Sequence, residues 1–236
     1  MKSIDLLENK NYYKSQMRYE NKYELRSGYH KSIPTFLKCK SFTEIYPERI
    51  VNSLYYDDEQ LNLYANSQNG ISSRYKIRLR YYNLGESGYI VEKKVKEEDL
   101  NYKKVLTSED SHFASLKPIT STYINLEIPN LIIPSTINII YSPKVFVSYC
   151  RRYFLSPDKG LRITIDSRIS FFHAKNTNKE IEIKKKRVLS QSILELKYDA
   201  TYTPSIKFIS SITSEFGLIL SRSSKYCRGL SMHYSL

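Results

Sequence analysis

The sequence predicts an α+β protein, with about eight strands in antiparallel-compatible order and helices packed outside the sheet. Segment after segment alternates a charged residue with an apolar or aromatic one, and a period of two belongs to a strand. Tyrosine is the commonest aromatic, at 22 residues with no tryptophan, and richness in tyrosine and isoleucine favours strands. Helical patterns are few and short, and they fall between or after the strands. At 236 residues the chain can build one large domain with its own core, or at most two small ones.

The clearest alternation is RYKIRLRYY, where Arg74, Lys76, Arg78 and Arg80 share one face and Tyr75, Ile77, Leu79 and Tyr81 the other. Four like charges on one strand face repel. On a concave wall they require a polyanion to neutralise them.

Taken in order, residues 1–14 read as a polar extension and residues 15–236 as the folded domain. RYENKYEL is a strand with Arg18, Glu20, Lys22 and Glu24 on one face. Ser32 to about Phe42 reads as a helix with Pro34 in its first turn and an Ile33, Phe36, Leu37 stripe. Arg49 to Asp57 is a strand. Asp58 to Ser67 is a short helix capped by Asp58, with a turn at Asn69-Gly70. The cationic strand spans Ser72 to Asn83, turns at Gly85 to Gly88, and returns as Tyr89 to Lys96 with Glu92, Lys94 and Lys96 in phase.

Residues 98–140, broken by Pro118, Pro129 and Pro134, read as an insert of loops and helical fragments on the outside of the sheet. One of those helices would be capped by Thr107 or Ser108 and run to Leu116. Strands resume at Lys144 to Leu155, Leu161 to Phe171, Glu180 to Arg187 and Ser192 to Asp199. Thr203 to Phe216 is an amphipathic helix with an Ile206, Ile209, Ile212, Phe216 stripe and Gly217 as its stop. SRSSKYCRG follows as a tail. Two arrangements fit: charged faces open to solvent, or a barrel with a polar lumen and helices outside.

Net charge is +13, which implies an anionic partner. Three scattered cysteines give no metal spacing and no disulfide framework, and they suggest a reducing compartment. No apolar run approaches the roughly 18 residues of a membrane span, and no secretory apolar core opens the chain, so a cytoplasmic location is expected. The four histidines have no ligand-spaced partner. Glycine is scarce at 7 residues and no glycine-rich phosphate loop or nucleophile motif occurs, so phosphate chemistry falls to side chains on strands. Arg78, Arg80, Arg151 and Arg162 suit phosphate oxygens as guanidinium forks; Lys22, Lys94, Lys197 and Lys225 suit them as point charges. Glu20, Glu92 and Glu195 are candidate carboxylates for a hard divalent ion. Tyrosines alternating away from the cations argue against nucleic acid, which would require stacking aromatics beside them.

Eight segments in order, RYENKYEL (18–25), SLYYDD (53–58), YKIRLRYY (75–82), VEKKVK (91–96), VSYCRRYF (147–154), LRITIDSRI (161–169), ILELKY (193–198) and SSKY (223–226), resemble the vacuolar transporter chaperone (VTC) domain. That domain is the polyphosphate polymerase branch of the CYTH-like triphosphate tunnel metalloenzymes. The order Glu20, Lys22, Glu24 is nearer that branch than the Glu-x-Glu-x-Lys opening of the wider superfamily.

The resemblance implies an eight-stranded antiparallel tunnel holding a nucleoside triphosphate and a divalent metal, Mn²⁺ or Mg²⁺. It implies Lys22, Arg78, Arg80, Lys94, Arg151 and Arg162 as catalytic phosphate-binding residues. Glu195 would be the metal carboxylate with Lys197 and Lys225 as nearby substrate contacts; from the charge pattern, Arg74, Lys76 and Glu20 are further candidate substrate contacts and Glu92 a second candidate metal carboxylate. The implied reaction transfers the γ-phosphate of ATP to polyphosphate through a tunnel open at both ends. A triphosphatase and a non-catalytic polyphosphate- or RNA-binding module are the alternatives. Any membrane or accessory partner is left unspecified by the sequence.

Overall fold

The computed structural model describes residues 18–85, 88–98, 100–107, 139–177, 181–199, 201–222 and 224–234. The expected extension at 1–14 lies outside them. In chain order the elements are β1 (Arg18–Leu25), α1 (Tyr29–Cys39), β2 (Thr43–Asp57), α2 (Asn62–Gln68), β3 (Ser73–Tyr82), β4 (Tyr89–Glu97), β5 (Leu100–Thr107), β6 (Ser142–Leu155), β7 (Leu161–Asn176), β8 (Ile181–Val188), β9 (Ser192–Asp199), α3 (Ile206–Phe216), β10 (Ile219–Leu220) and α4 (Lys225–His233).

All pairings are antiparallel. The wall runs β1–β9–β7–β6–β2–β3–β4–β5 and returns to β1 through one residue pair, Arg18 with Asn101. Eight strands therefore make a barrel whose last seam is barely joined. β8 extends from the second half of β7, and β10 pairs with β1.

Apolar residues of the alternating strands face outward and are covered there. Ile33 and Leu37 of α1 and Ile212 and Phe216 of α3 pack on Tyr23, Leu25, Ile163, Ile165, Leu194 and Leu196. Leu63 of α2 packs with Leu54, Tyr56, Ile77, Leu79 and Val91 on the opposite side. Burial of this kind stabilises by about 25 cal/mol per Å² of apolar surface, so the outer layer supplies much of the core and leaves part of the inner face able to carry charge.

Several expectations are corrected. Leu100–Thr107 is a wall strand, not part of an outer insert, and the remaining 108–138 of that insert, including the stretch expected to be helical up to Leu116, lies outside the described residues. α1 begins at Tyr29, so Pro34 sits inside the helix and not in its first turn. α2 begins at Asn62. Asp58 still accepts from the Asn62 backbone N–H at 2.9 Å, but Asp57 accepts from Leu63 and Tyr64 at 3.0 Å each and shares the capping. The segment given only as a tail contains helix α4, whose Ser224 cap accepts from Cys227 N–H.

α4 also corrects the tunnel open at both ends. Its Tyr226, Cys227 and Leu230 pack on Val51, Tyr55, Val145, Val147, Ile169, Phe171 and Ile193. These residues share a strand face with the charged ones, so α4 covers the inner face at one end.

Candidate active site: a cation-lined lumen

Register brings the charges together. Arg78 lies opposite Glu92, Lys76 opposite Lys94, Lys22 opposite Glu195, Glu20 opposite Lys197, and Arg151 opposite Asp166. Because side chains alternate across each strand, these residues project into one lumen. Two clusters result.

In the first, Glu92 is buried. Arg78 Nε donates to its Oε2, Arg80 Nη1 lies 3.7 Å from the same oxygen, and Lys103 Nζ is 2.8 Å from Oε1. Arg78 Nη1 also donates to the Tyr55 hydroxyl at 3.1 Å. Arg80 donates to Ser53 Oγ and to the Tyr149 hydroxyl, both at 3.2 Å. Both guanidinium groups are thus aimed by neutral oxygens as well as by Glu92.

In the second cluster Asp166 is 0% exposed and takes a two-pronged bond from Arg151, Nε at 2.5 Å and Nη2 at 2.7 Å, and another from Lys225 of α4. Glu195 is contacted by Lys197 Nζ at 2.6 Å, Lys22 Nζ at 3.5 Å and Arg151 Nη2 at 3.6 Å. Glu20 pairs with Lys94 at 2.5 Å, and Lys76 donates to Ser224 Oγ at 2.8 Å.

Burial pushes the carboxyls of Glu92, Glu195 and Glu20 up, but the surrounding cations outweigh it and hold all three below the usual range. Burial alone would pull the guanidinium groups of Arg78 and Arg151 down, yet Glu92 and Asp166 hold them well above their ordinary values. The lysines fare differently. Burial pulls Lys76 and Lys197 down, and takes Lys94 to about 7 with Lys22 adding to the effect. Cations outnumber carboxylates on this surface, and part of it is self-repelling.

The sequence-derived candidates Lys22, Lys76, Arg78, Arg80, Lys94, Arg151, Lys197, Lys225, Glu20, Glu92 and Glu195 are therefore gathered in one place. Arg162 is opposite Lys197 on the same face but exposed at the start of β7. Arg74, at the start of β3, donates to the Ile71 carbonyl of its own approach loop.

Asp166, Lys103, Ser53, Tyr55 and Tyr149 join the site beyond the residues expected from the sequence. Asp166 had a signal, being in phase with Arg162 and Thr164. The tyrosine expectation is corrected too. Tyr75, Tyr81 and Tyr89 do lie outside, but Tyr55, Tyr149 and Tyr153 share the inner face because β2 and β6 carry hydroxyls and rings where β3 carries cations. No group of three or more His, Cys, Asp or Glu able to hold a metal occurs among the described residues.

This fold is that of the CYTH-like triphosphate tunnel proteins. The solved structures it resembles include a candidate adenylyl cyclase from Hippeastrum in which triphosphatase activity dominates (TM-score 0.52, 12% identity, 91% of this chain and 96% of that one). Another is a candidate adenylate cyclase from Vibrio parahaemolyticus (TM-score 0.50, 15% identity, 90% and 98%). The chain itself belongs to the VTC domain family, whose model matches residues 10–234. No curated protein matches it. No helix among the described residues is long and apolar enough to cross a membrane.

Proposed function

We propose that the protein is a polyphosphate polymerase that moves the γ-phosphate of ATP onto the end of an inorganic polyphosphate chain, releasing ADP. The observation that carries this reading is the ion pairing of the lumen. Four carboxylates beside the lumen cations, Glu20, Glu92, Asp166 and Glu195, each contact at least one lysine or arginine, and the cations around them are in excess. Such a surface favours polyanions, and none of these four carboxylates is left uncommitted to activate water. A phosphate chain end is already ionised at neutral pH and requires no general base.

Arg78, Arg80 and Arg151 would bind oxygens of the transferring phosphoryl group as forks, with Lys22, Lys94, Lys197 and Lys225 as point charges. Their work is positioning and charge stabilisation in a site largely shielded from water. Ser53, Tyr55 and Tyr149 keep the two β3 arginines aimed when phosphate draws them from Glu92.

The residues fit a divalent ion that arrives with the nucleotide. Glu195 and Glu20 on paired strands would offer hard oxygens once phosphate draws off the lysines and Arg151 that contact them, and the remaining ligands would be phosphate oxygens, a usual arrangement for Mg²⁺. Such an ion would neutralise phosphate charge. Glu92, enclosed by Arg78, Arg80 and Lys103, is better suited to anchoring arginines than to ligating metal.

The test is incubation with ATP and Mn²⁺ or Mg²⁺, with separate assays for polyphosphate, orthophosphate and ADP. Long-chain phosphate is expected. Orthophosphate alone, across metals and primers, would replace this reading with hydrolysis, the second reading, supported by the triphosphatase activity that the same fold carries in the Hippeastrum protein. No ATP consumption would leave a binding module.

A further inference from the structure

Beyond the phosphate site, β2 carries a group of residues that phosphate binding does not use. Its inner-face residues run Arg49, Val51, Ser53, Tyr55. Tyr55 stacks on Tyr226 of α4, with ring centroids 5.3 Å apart, and Ser53 holds Arg80. Arg49 is therefore at the end away from α4, about 13 Å of strand from Ser53 at the usual rise per residue, and opposite Arg151 of β6 at the near edge of the phosphate site. A nucleoside triphosphate can bridge that span.

Arg49 makes no ion pair among the described residues, unlike Arg78, Arg80 and Arg151. Aromatic rings surround it instead. Its guanidinium carbon lies 4.0 Å from the Tyr46 ring centroid, 5.6 Å from Tyr153 and 5.7 Å from Tyr82. Tyr46 and Tyr153 meet edge to face at 5.5 Å. Tyr46 reaches this group because the register of β2 against β6 shifts between Tyr46 and Arg49, at Pro47 and Glu48. Irregularities of this kind re-aim a side chain. Tyr46 is 46% exposed, so its ring remains open to solvent. Tyr153 links the two regions, since the Arg151 guanidinium lies 5.9 Å from its ring on the phosphate side.

We propose that Tyr46, Tyr82 and Tyr153 with Arg49 form the seat for the nucleobase of the incoming nucleoside triphosphate, stacking it on ring and guanidinium faces while its phosphates lie among Arg78, Arg80 and Arg151. Base stacking on aromatic and arginine planes is a general means of holding nucleotides. The proposal rests on the reading that the lumen holds a triphosphate. It adds that the protein distinguishes nucleotide from inorganic triphosphate at this mouth.

The chain has no tryptophan, so binding of fluorescent 1,N⁶-etheno-ATP can be read without indole background, and inorganic tripolyphosphate can compete with it. Tyr46→Ala is expected to weaken etheno-ATP binding by roughly fivefold or more, the value of one stacked ring, and to leave tripolyphosphate affinity unchanged. Tyr46→Phe should behave as the parent. Equal loss for both ligands, or no loss for either, overturns the base seat while leaving the phosphate site standing. If the unaltered protein binds neither etheno-ATP nor tripolyphosphate, the triphosphate reading fails and the seat fails with it.

Discussion

At one end of the inner face Val145, Val147, Ile169, Phe171 and Ile193 meet Tyr226, Cys227 and Leu230 of α4. Further along the same strands Tyr149, Arg151, Asp166 and Glu195 meet Lys22, Lys197 and Lys225. The first region is complete in itself. Gly229 lets α4 approach so closely that an added Cβ would lie 2.7 Å from Val145 Cγ2 and 2.9 Å from Phe171 Cδ1. The second region is incomplete. Burial and neighbouring cations pull Lys76, Lys94 and Lys197 down. One wall thus supports a packed end that stabilises the fold and a charged region whose best partner is a ligand. Substitutions in the two should separate stability from activity.

The largest separation is expected within the charged region. Arg80→Ala leaves Glu92 still held by Arg78 and Lys103 and removes a repulsion, so turnover should fall about 10²- to 10³-fold with little change in Tm. Arg78→Ala should lose activity similarly. Arg151→Ala is different, because Asp166, fully buried, would keep only Lys225. Breaking such a pair costs about 3–5 kcal/mol, so this variant should lose both activity and stability. Steady-state kinetics beside thermal melts would check the contrast. Equal destabilisation by Arg80→Ala and Arg151→Ala would make all these arginines structural.

Glu195→Gln keeps the shape of the side chain but removes the charge that a hard ion requires. Turnover should fall by at least about tenfold, roughly 1.4 kcal/mol, and its response to Mn²⁺ or Mg²⁺ should flatten. Metal-free tripolyphosphate should bind as well as before or better, since Lys22, Lys197 and Arg151 lose their counter-charge. An unchanged metal titration would remove Glu195 from the metal site.

Gly229→Ala probes the packed end. Overpacking a close contact costs about 1–3 kcal/mol, so Tm should drop. Tripolyphosphate affinity should weaken only as far as Lys225 is displaced with the helix. A melt unchanged from the parent would mean that α4 shifts freely and does not close that end.

The two regions also differed in how far they were legible. β3, β4, β7 and β9 could be read because an outward apolar residue must alternate with each inward charge. β5 could not, since adjacent Lys103 and Lys104 break the period and the strand joins β1 by one pair. α4 lacks a helical apolar stripe of ordinary length, and its apolar residues are defined by the cavity they fill. The signal for it lies in β6, where Val145, Phe146 and Val147 are apolar on both faces. A strand that needs cover inside as well as outside announces a buried partner. Within the site, long-range contacts were required to show that Asp166 meets Arg151 and Lys225 and that tyrosines stand among the cations.

The smallest expected effect is a proton. Burial takes Lys94 from its ordinary 10.5 to about 7. Between those values the unfolded chain binds a proton that the folded chain does not, so through this group the ligand-free fold gains stability as pH rises from about 7 to 10. A triphosphate beside Lys94 favours the ammonium form and raises its pKa again. Binding at pH 8 should therefore take up part of a proton, and affinity should fall with rising pH by at most about one decade per pH unit. Calorimetry in buffers of different ionisation enthalpy reads that uptake directly. Lys94→Arg, permanently charged, should lose most of it. If the uptake is undiminished in that variant, the proton goes to Lys76 or Lys197, whose ammonium groups burial also pulls down, and Lys94 is not the group that responds.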